Sequence, residues 1–202
     1  LINYADGLKL YLKGKREDPL VQEALSEIST QADRLSKIIQ RVRTYAKRQH
    51  HEVKQENLSE IVDRALVSFR RSSLSSGVDV EVKAPGKADA LADALELELL
   101  IVNLLKNAAA ASKDSREKLI SVQLSEEANE WLLSVSDHGQ VISDKLLSRL
   151  SHPAKSFSDG LGLGLSICRL IAENHGGKLT FKPNNSKGLI VTLHLPKANK
   201  EI

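Results

Sequence analysis

From Val21 the apolar residues recur at alternating intervals of four and three, through Leu25, Ile28, Ala32, Leu35, Ile39, Val42 and Ala46. That is an unbroken a/d heptad stripe. Asp18 is a good N-cap for it and Pro19 a good first helical residue. An earlier stripe of Leu1, Ala5, Leu8 and Leu12 is separated from it by Gly14 and the charged run Lys15 to Asp18. Residues 1–50 therefore read as an antiparallel helical hairpin. Such stripes are buried best when two hairpins join as a dimeric four-helix bundle; the alternative is a hairpin that caps the next domain of its own chain. The polar stretch 51–56 reads as a linker, and His50 and His51, with no ligand partners nearby, as a solvated pair.

From 57 to 198 the periodicity alternates between helical and extended. Leu58, Ile61, Val62, Ala65, Leu66 and Phe69 have helical spacing, and Val78 to Val82 alternates as a strand. A short strand is expected at 88–92 and a helix over 94–112. Strands follow at 119–124 and 131–135, a helix at 163–174 closed by Gly176-Gly177, and strands at 178–182 and 189–195 around a turn at Asn184-Asn185. The segment 140–159 has no clean period and reads as a long functional or mobile loop. The sum is an α+β chain, a hairpin followed by an α/β sandwich with a mixed sheet and about three helices.

Three segments carry candidate chemistry. The helix around Asn103 has almost no polar face, yet Asn103 and Asn107 stand four apart on one side of it. Buried amides need partners, so the pair either lines a pocket for an oxygen-rich ligand, water or hard cation, or ties down neighbouring backbone. Lys106 either meets phosphate or snorkels to solvent. Asp137-His138-Gly139 follows a strand; a carboxylate there can accept a hydrogen bond from a base amine, although Asp-x-Gly is also a common turn. Gly160-Leu161-Gly162-Leu163-Gly164-Leu165 runs straight into a helix, where unpaired amides and the positive dipole end favour phosphate. It is neither a Walker loop nor a dinucleotide fingerprint.

The order of Asn-x-x-x-Asn helix, strand-Asp-x-Gly, variable segment and GLGLGLSI resembles the ATP-binding catalytic domain of two-component sensor histidine kinases, the nucleotide fold shared with gyrase and Hsp90. The match covers roughly 55–196. The hairpin resembles the dimerisation and histidine phosphotransfer domain, and LINYADGLKLYL the tract after its phosphoacceptor. The resemblance implies ATP and Mg²⁺ as cofactors and transfer of the γ-phosphoryl group to a bundle His, then to an Asp on a response regulator receiver domain. It implies that Asn107 coordinates Mg²⁺ and acts with Asn103 in catalysis, with Lys106 nearby. Asp137 receives the adenine amine, with Gly139 and Ile142 beside the base. Gly160, Leu161, Gly162, Leu163, Gly164 and Leu165 close over the phosphates as a lid hinge.

Three features depart from the family pattern. No His lies between Leu1 and Gln49, so the phosphoacceptor is expected shortly before Leu1. Val141 stands where a second Gly is usual, and is expected to narrow the pocket or stiffen the lid's root. The lid stretch Ser151 to Phe157 holds a single Phe; its Lys155 reaches phosphate or stays in solvent. These departures keep two alternatives open: a non-catalytic dimeric relay with a degenerate nucleotide site, and an anti-sigma-factor-type serine kinase, against which the hairpin argues.

Composition narrows the classes further. A net charge of +3 and 3% aromatics give little footing for nucleic acid. The single Cys168 excludes an intrachain disulfide. The chain opens at Leu1 without any Met and is expected to be a piece of a longer protein. It has no apolar run of membrane-spanning length, so this piece is expected to lie in the cytoplasm without membrane contact, as part of a membrane-anchored bacterial sensor.

Overall fold

The computed structural model describes residues 53–151, 163–184 and 187–197, with only the backbone of Ser73 and Leu163. The chain divides between Arg48 and Gln49, and all that follows concerns the second unit. The expected hairpin at 1–50, and Gly160, Leu161 and Gly162, lie outside the described residues.

The elements are β1 (Lys54–Asn57), α1 (Leu58–Arg70), a 3-10 turn (Ser73–Ser75), β2 (Asp79–Lys83), β3 (Asp89–Ala92), α2 (Ala94–Ala111), β4 (Leu119–Glu126), β5 (Glu130–Ser136), α3 (Asp144–Ser151), α4 (Leu163–Asn174), β6 (Lys178–Pro183) and β7 (Leu189–Pro196). The main sheet has the order β2-β4-β5-β7-β6. Its β2–β4 pair is parallel and the other pairs antiparallel, so the sheet is mixed as the sequence implies. β1 and β3 form a separate antiparallel pair.

The helices α1 and α2 start where the sequence can satisfy free amides. Asn57 caps α1 by accepting from the Ser59 amide at 3.1 Å, and also accepts from the Ala88 amide at 3.1 Å. Asp93 caps α2 by accepting from the amides of Leu95 and Glu96. The six apolar positions of α1 are all buried. They share one core with Leu97, Leu100, Ile101, Leu104 and Leu105 of α2, Ile167 and Ile171 of α4, and one face of the sheet. On that face alternate residues are buried: Ile120, Val122 and Leu124 on β4; Trp131, Leu133 and Val135 on β5; Val191, Leu193 and Leu195 on β7. The opposite face carries hydroxyls, with Ser134 and Thr192 bonded across the strands at 2.9 Å. The Trp131 indole N–H donates to the Asp89 carbonyl at 2.9 Å, which fastens the small sheet to the large one.

α4 ends in a left-handed Gly176 at φ +66°, and the Gly177 amide closes on the Ala172 carbonyl at 2.8 Å. His175 then ties this end to α2. Its Nε2 accepts the Asp93 amide at 3.0 Å, while Nδ1 donates to the Ile171 carbonyl at 2.7 Å.

Two expectations need correction. Residues 54–56, read as the end of a linker, form β1 together with Asn57, and Lys54–Asn57 pair with Ala92–Asp89. The pairing is carried by backbone, so the polar sequence KQEN gave no apolar signal for it. Within the stretch read as a loop, Asp144–Ser151 is helical. Ser143 begins it, its carbonyl taking the Leu147 amide at 2.9 Å, and Leu150 anchors it in the core. Among the described residues no helix is long and apolar enough to cross a membrane.

Candidate functional site

A cavity of about 330 Å³ opens between the C-terminal half of α2, the end of β5, the loop after it and the start of α4. Asn107, Asp137, Ile142 and Leu165 line it together. A second, wider groove of about 560 Å³ shares Ala111, Asp114, Gln140 and Val141 with it and has Gly139 in its wall.

The two carboxamides are set differently. Asn103 donates Nδ2 to the Leu99 carbonyl one turn back at 2.9 Å, so half of its amide serves its own helix. Its Oδ1 faces α4. A Cβ placed on Gly164 would stand 3.5 Å from that oxygen and 3.8 Å from both polar atoms of Asn107. Asn107 is exposed on the cavity wall and makes no hydrogen bond among the described residues. Gly164 lies inside the first turn of α4, not at a hinge ahead of it. Lys106 is half-buried and does not line the cavity, and neither does Asn103.

Asp137 is buried at the end of β5. Its Oδ1 accepts the Gly139 amide at 2.8 Å and the Leu189 amide at 3.3 Å, and its Oδ2 has no partner among the described residues. Gly139 is required by close approach: a Cβ there would meet the Ala111 carbonyl oxygen at 2.8 Å and Asp137 Oδ1 at 2.9 Å. His138 is a loop fastener. Its Nδ1 bonds the Leu119 carbonyl at 3.0 Å, and its own carbonyl accepts from Ser115 at 2.7 Å. Val141 is 71% exposed at the rim, and no non-glycine among the described residues has a positive φ. The side chain therefore does not fill the cavity, and the backbone there needs no glycine.

Sequence reasoning missed the residues that hold Asp137 from the other side. Gly188, at φ +93°, packs so closely that a Cβ would collide with the Asp137 carbonyl and stand 2.7 Å from Oδ1. The Asn184 side chain donates to the same carbonyl at 2.8 Å. Only the turn signal at Asn184-Asn185 was available, and it says nothing of what the turn touches.

Burial pushes the Asp137 carboxyl above its ordinary 3.8, against the two amides and His138, which pull it down. A raised carboxyl lends stability that is whole below the ordinary value and lost as pH rises through the folded one. Asp137→Asn keeps an oxygen for both amides and removes the buried charge. It is expected to melt above the parent at neutral pH, the gap closing as pH falls towards 3.8. Thermal melts across that range check the sign, and a variant melting lower at neutral pH contradicts it.

Residues 92–199 match the family model of histidine kinase-, DNA gyrase B-, and HSP90-like ATPases. The chain belongs to this ATPase family. Sensor protein FixL of Bradyrhizobium diazoefficiens is 31% identical over 206 residues, covering 98% of this chain and 40% of FixL. The chain thus spans well under half the length of that relative. The catalytic domain of histidine kinase ThkA, in a nucleotide-free form, superposes with a TM-score of 0.62 at 25% identity, over 72% of this chain and 97% of that one. ThkA in complex with the response regulator protein TrrA gives 0.68 at 24% identity, over 100% of this chain and 59% of that one. Within the ATPase family, the likeness is to the catalytic cores of two-component sensor histidine kinases.

Proposed function

We propose that the chain is the kinase core of a bacterial sensor protein, working on the cytoplasmic side of an anchored parent. Residues 57–198 bind ATP with Mg²⁺ and pass the γ-phosphoryl group to a His on a dimerisation bundle built from the hairpin at 1–50. An Asp of a response regulator receiver domain then takes it. One observation carries this reading: Asn107 and Asp137 border one cavity, and the first turn of α4 faces both carboxamides. The likeness to FixL and to ThkA, seen with its regulator, supports the partner class.

The geometry supports the following roles. Asp137 Oδ1 is held by two amides, which leaves Oδ2 to accept the adenine amino hydrogen. Ile142 and Leu165 supply apolar walls for the base. The carboxamide oxygen of Asn107 fits Mg²⁺, a hard cation that accepts few protein ligands and keeps phosphate oxygens and waters. When bound, the ion neutralises charge on the β- and γ-phosphates. Asn103 Oδ1, facing Gly164 beside Asn107, is proposed to act with Asn107. Gly160, Gly162 and Gly164, with the backbones of Leu161, Leu163 and Leu165, are proposed to meet the phosphates. The imidazole nitrogen attacks the γ-phosphorus, the bond to the β–γ bridging oxygen breaks, and ADP leaves with its electron pair. The domain's part is positioning and charge stabilisation.

Calorimetry on the 202-residue chain with a non-hydrolysable ATP analogue and Mg²⁺ tests this. Saturable binding below millimolar is expected. Absence of binding at millimolar ligand would favour the relay reading instead.

A further inference from the structure

The β5–β7 ladder ends in an exchange of acceptors. Ser136 pairs with Ile190, so Asp137 and Leu189 are the next opposed residues. The Asp137 amide donates to the Leu189 carbonyl at 3.0 Å, as a hydrogen-bonded antiparallel pair requires. The return bond does not go to the Asp137 carbonyl. The Leu189 amide donates to the side-chain Oδ1 at 3.3 Å, and the displaced carbonyl takes the Asn184 Nδ2–H at 2.8 Å. Asn184 is itself fixed, its amide closing the turn on the Gly188 carbonyl at 3.1 Å. The Gly188 amide in turn donates to Gln140 at 3.2 Å, on the far side of the Asp-x-Gly loop.

We infer that Asn184 is a positioning residue for base recognition: by occupying the Asp137 carbonyl it keeps the carboxylate, not the main chain, on the Leu189 amide, and so sets the direction of the free Oδ2. Without that donor a part-buried carbonyl lacks its partner, and the ready replacement is the Leu189 amide one ladder step away. Regular pairing would then extend by one bond. Oδ1 would then keep only the Gly139 amide, and with one of its two tethers gone the carboxylate would turn about its side-chain bonds. The inference rests on the reading of Asp137 as the acceptor of the adenine amine, and it adds the group that aims it.

The test compares two ligands on the full 202-residue chain by calorimetry with Mg²⁺: ATP, and the purine nucleoside triphosphate that lacks the exocyclic amine. The parent chain is expected to prefer ATP by about tenfold or more, the scale of one hydrogen bond to a charged group. In Asn184→Ala, ATP affinity falls while analogue affinity holds, so the preference shrinks to about twofold. Asn184→Asp, which sets an oxygen against the carbonyl, gives a loss at least as large. Retained binding of the analogue shows that the variants fold. Equal weakening of both ligands, or a preference unchanged in both variants, overturns the inference. A parent chain that never discriminates overturns the reading of Asp137 first.

Discussion

Asn107→Ala, in the intact kinase, is expected to reduce labelling from γ-labelled ATP by about a hundredfold or more, the scale seen when one preorganised polar group is taken from a transition state. The side chain is exposed on the cavity wall and makes no hydrogen bond among the described residues, so the fold should be indifferent to its loss. Melting temperature should stay close to the parent's while activity disappears. Asn107→Asp keeps the shape and sets a carboxylate beside the phosphates. It should also lose activity, through charge and not through volume. Asn103→Ala provides the contrast, because half of that amide is already spent on Leu99. Near-normal labelling in Asn107→Ala would remove Asn107 from the mechanism.

Gly188→Ala should be strongly destabilising, although it alters no side chain that lines the cavity. A left-handed backbone costs a residue with a Cβ roughly 1–2 kcal/mol, and the collision with Asp137 adds to it. About 2–4 kcal/mol in all lowers the melting temperature by roughly 10 °C in a domain of this size. Nucleotide affinity should fall with it, since the carbonyl and Oδ1 of Asp137 are the atoms displaced. Gly86→Ala is the control: nothing lies within 4 Å of its Cβ position and its φ is not left-handed. A melting temperature for Gly188→Ala within a degree or two of Gly86→Ala would contradict the packing described for the β6–β7 turn.

The elements that were legible in the sequence are those whose burial leaves a periodic trace. All six apolar positions expected on α1 are buried, and the alternation on β4 and β5 maps onto the core face residue by residue. β1 left no trace because KQEN pairs through backbone and polar side chains and buries no apolar residue. α3 was obscured because only Leu150 among its residues is buried. Asn107 and Asp137, far apart in sequence, do meet at one cavity, whereas Lys106 stays off it. Asn184 and Gly188 were hidden for a different reason: their role is contact with another strand's end, and no local pattern records such a contact.

The seam closed by Trp131 gives the molecule a built-in optical division. The chain holds one tryptophan and three tyrosines, Tyr4, Tyr11 and Tyr45, and the tyrosines all precede Arg48. Indole emission therefore reports only from the ATPase domain, at the junction where β5 grips β3, and phenol emission only from the segment ahead of it. Unfolding followed in the two colours separates the two units of the polypeptide without a dye, a label or a cut.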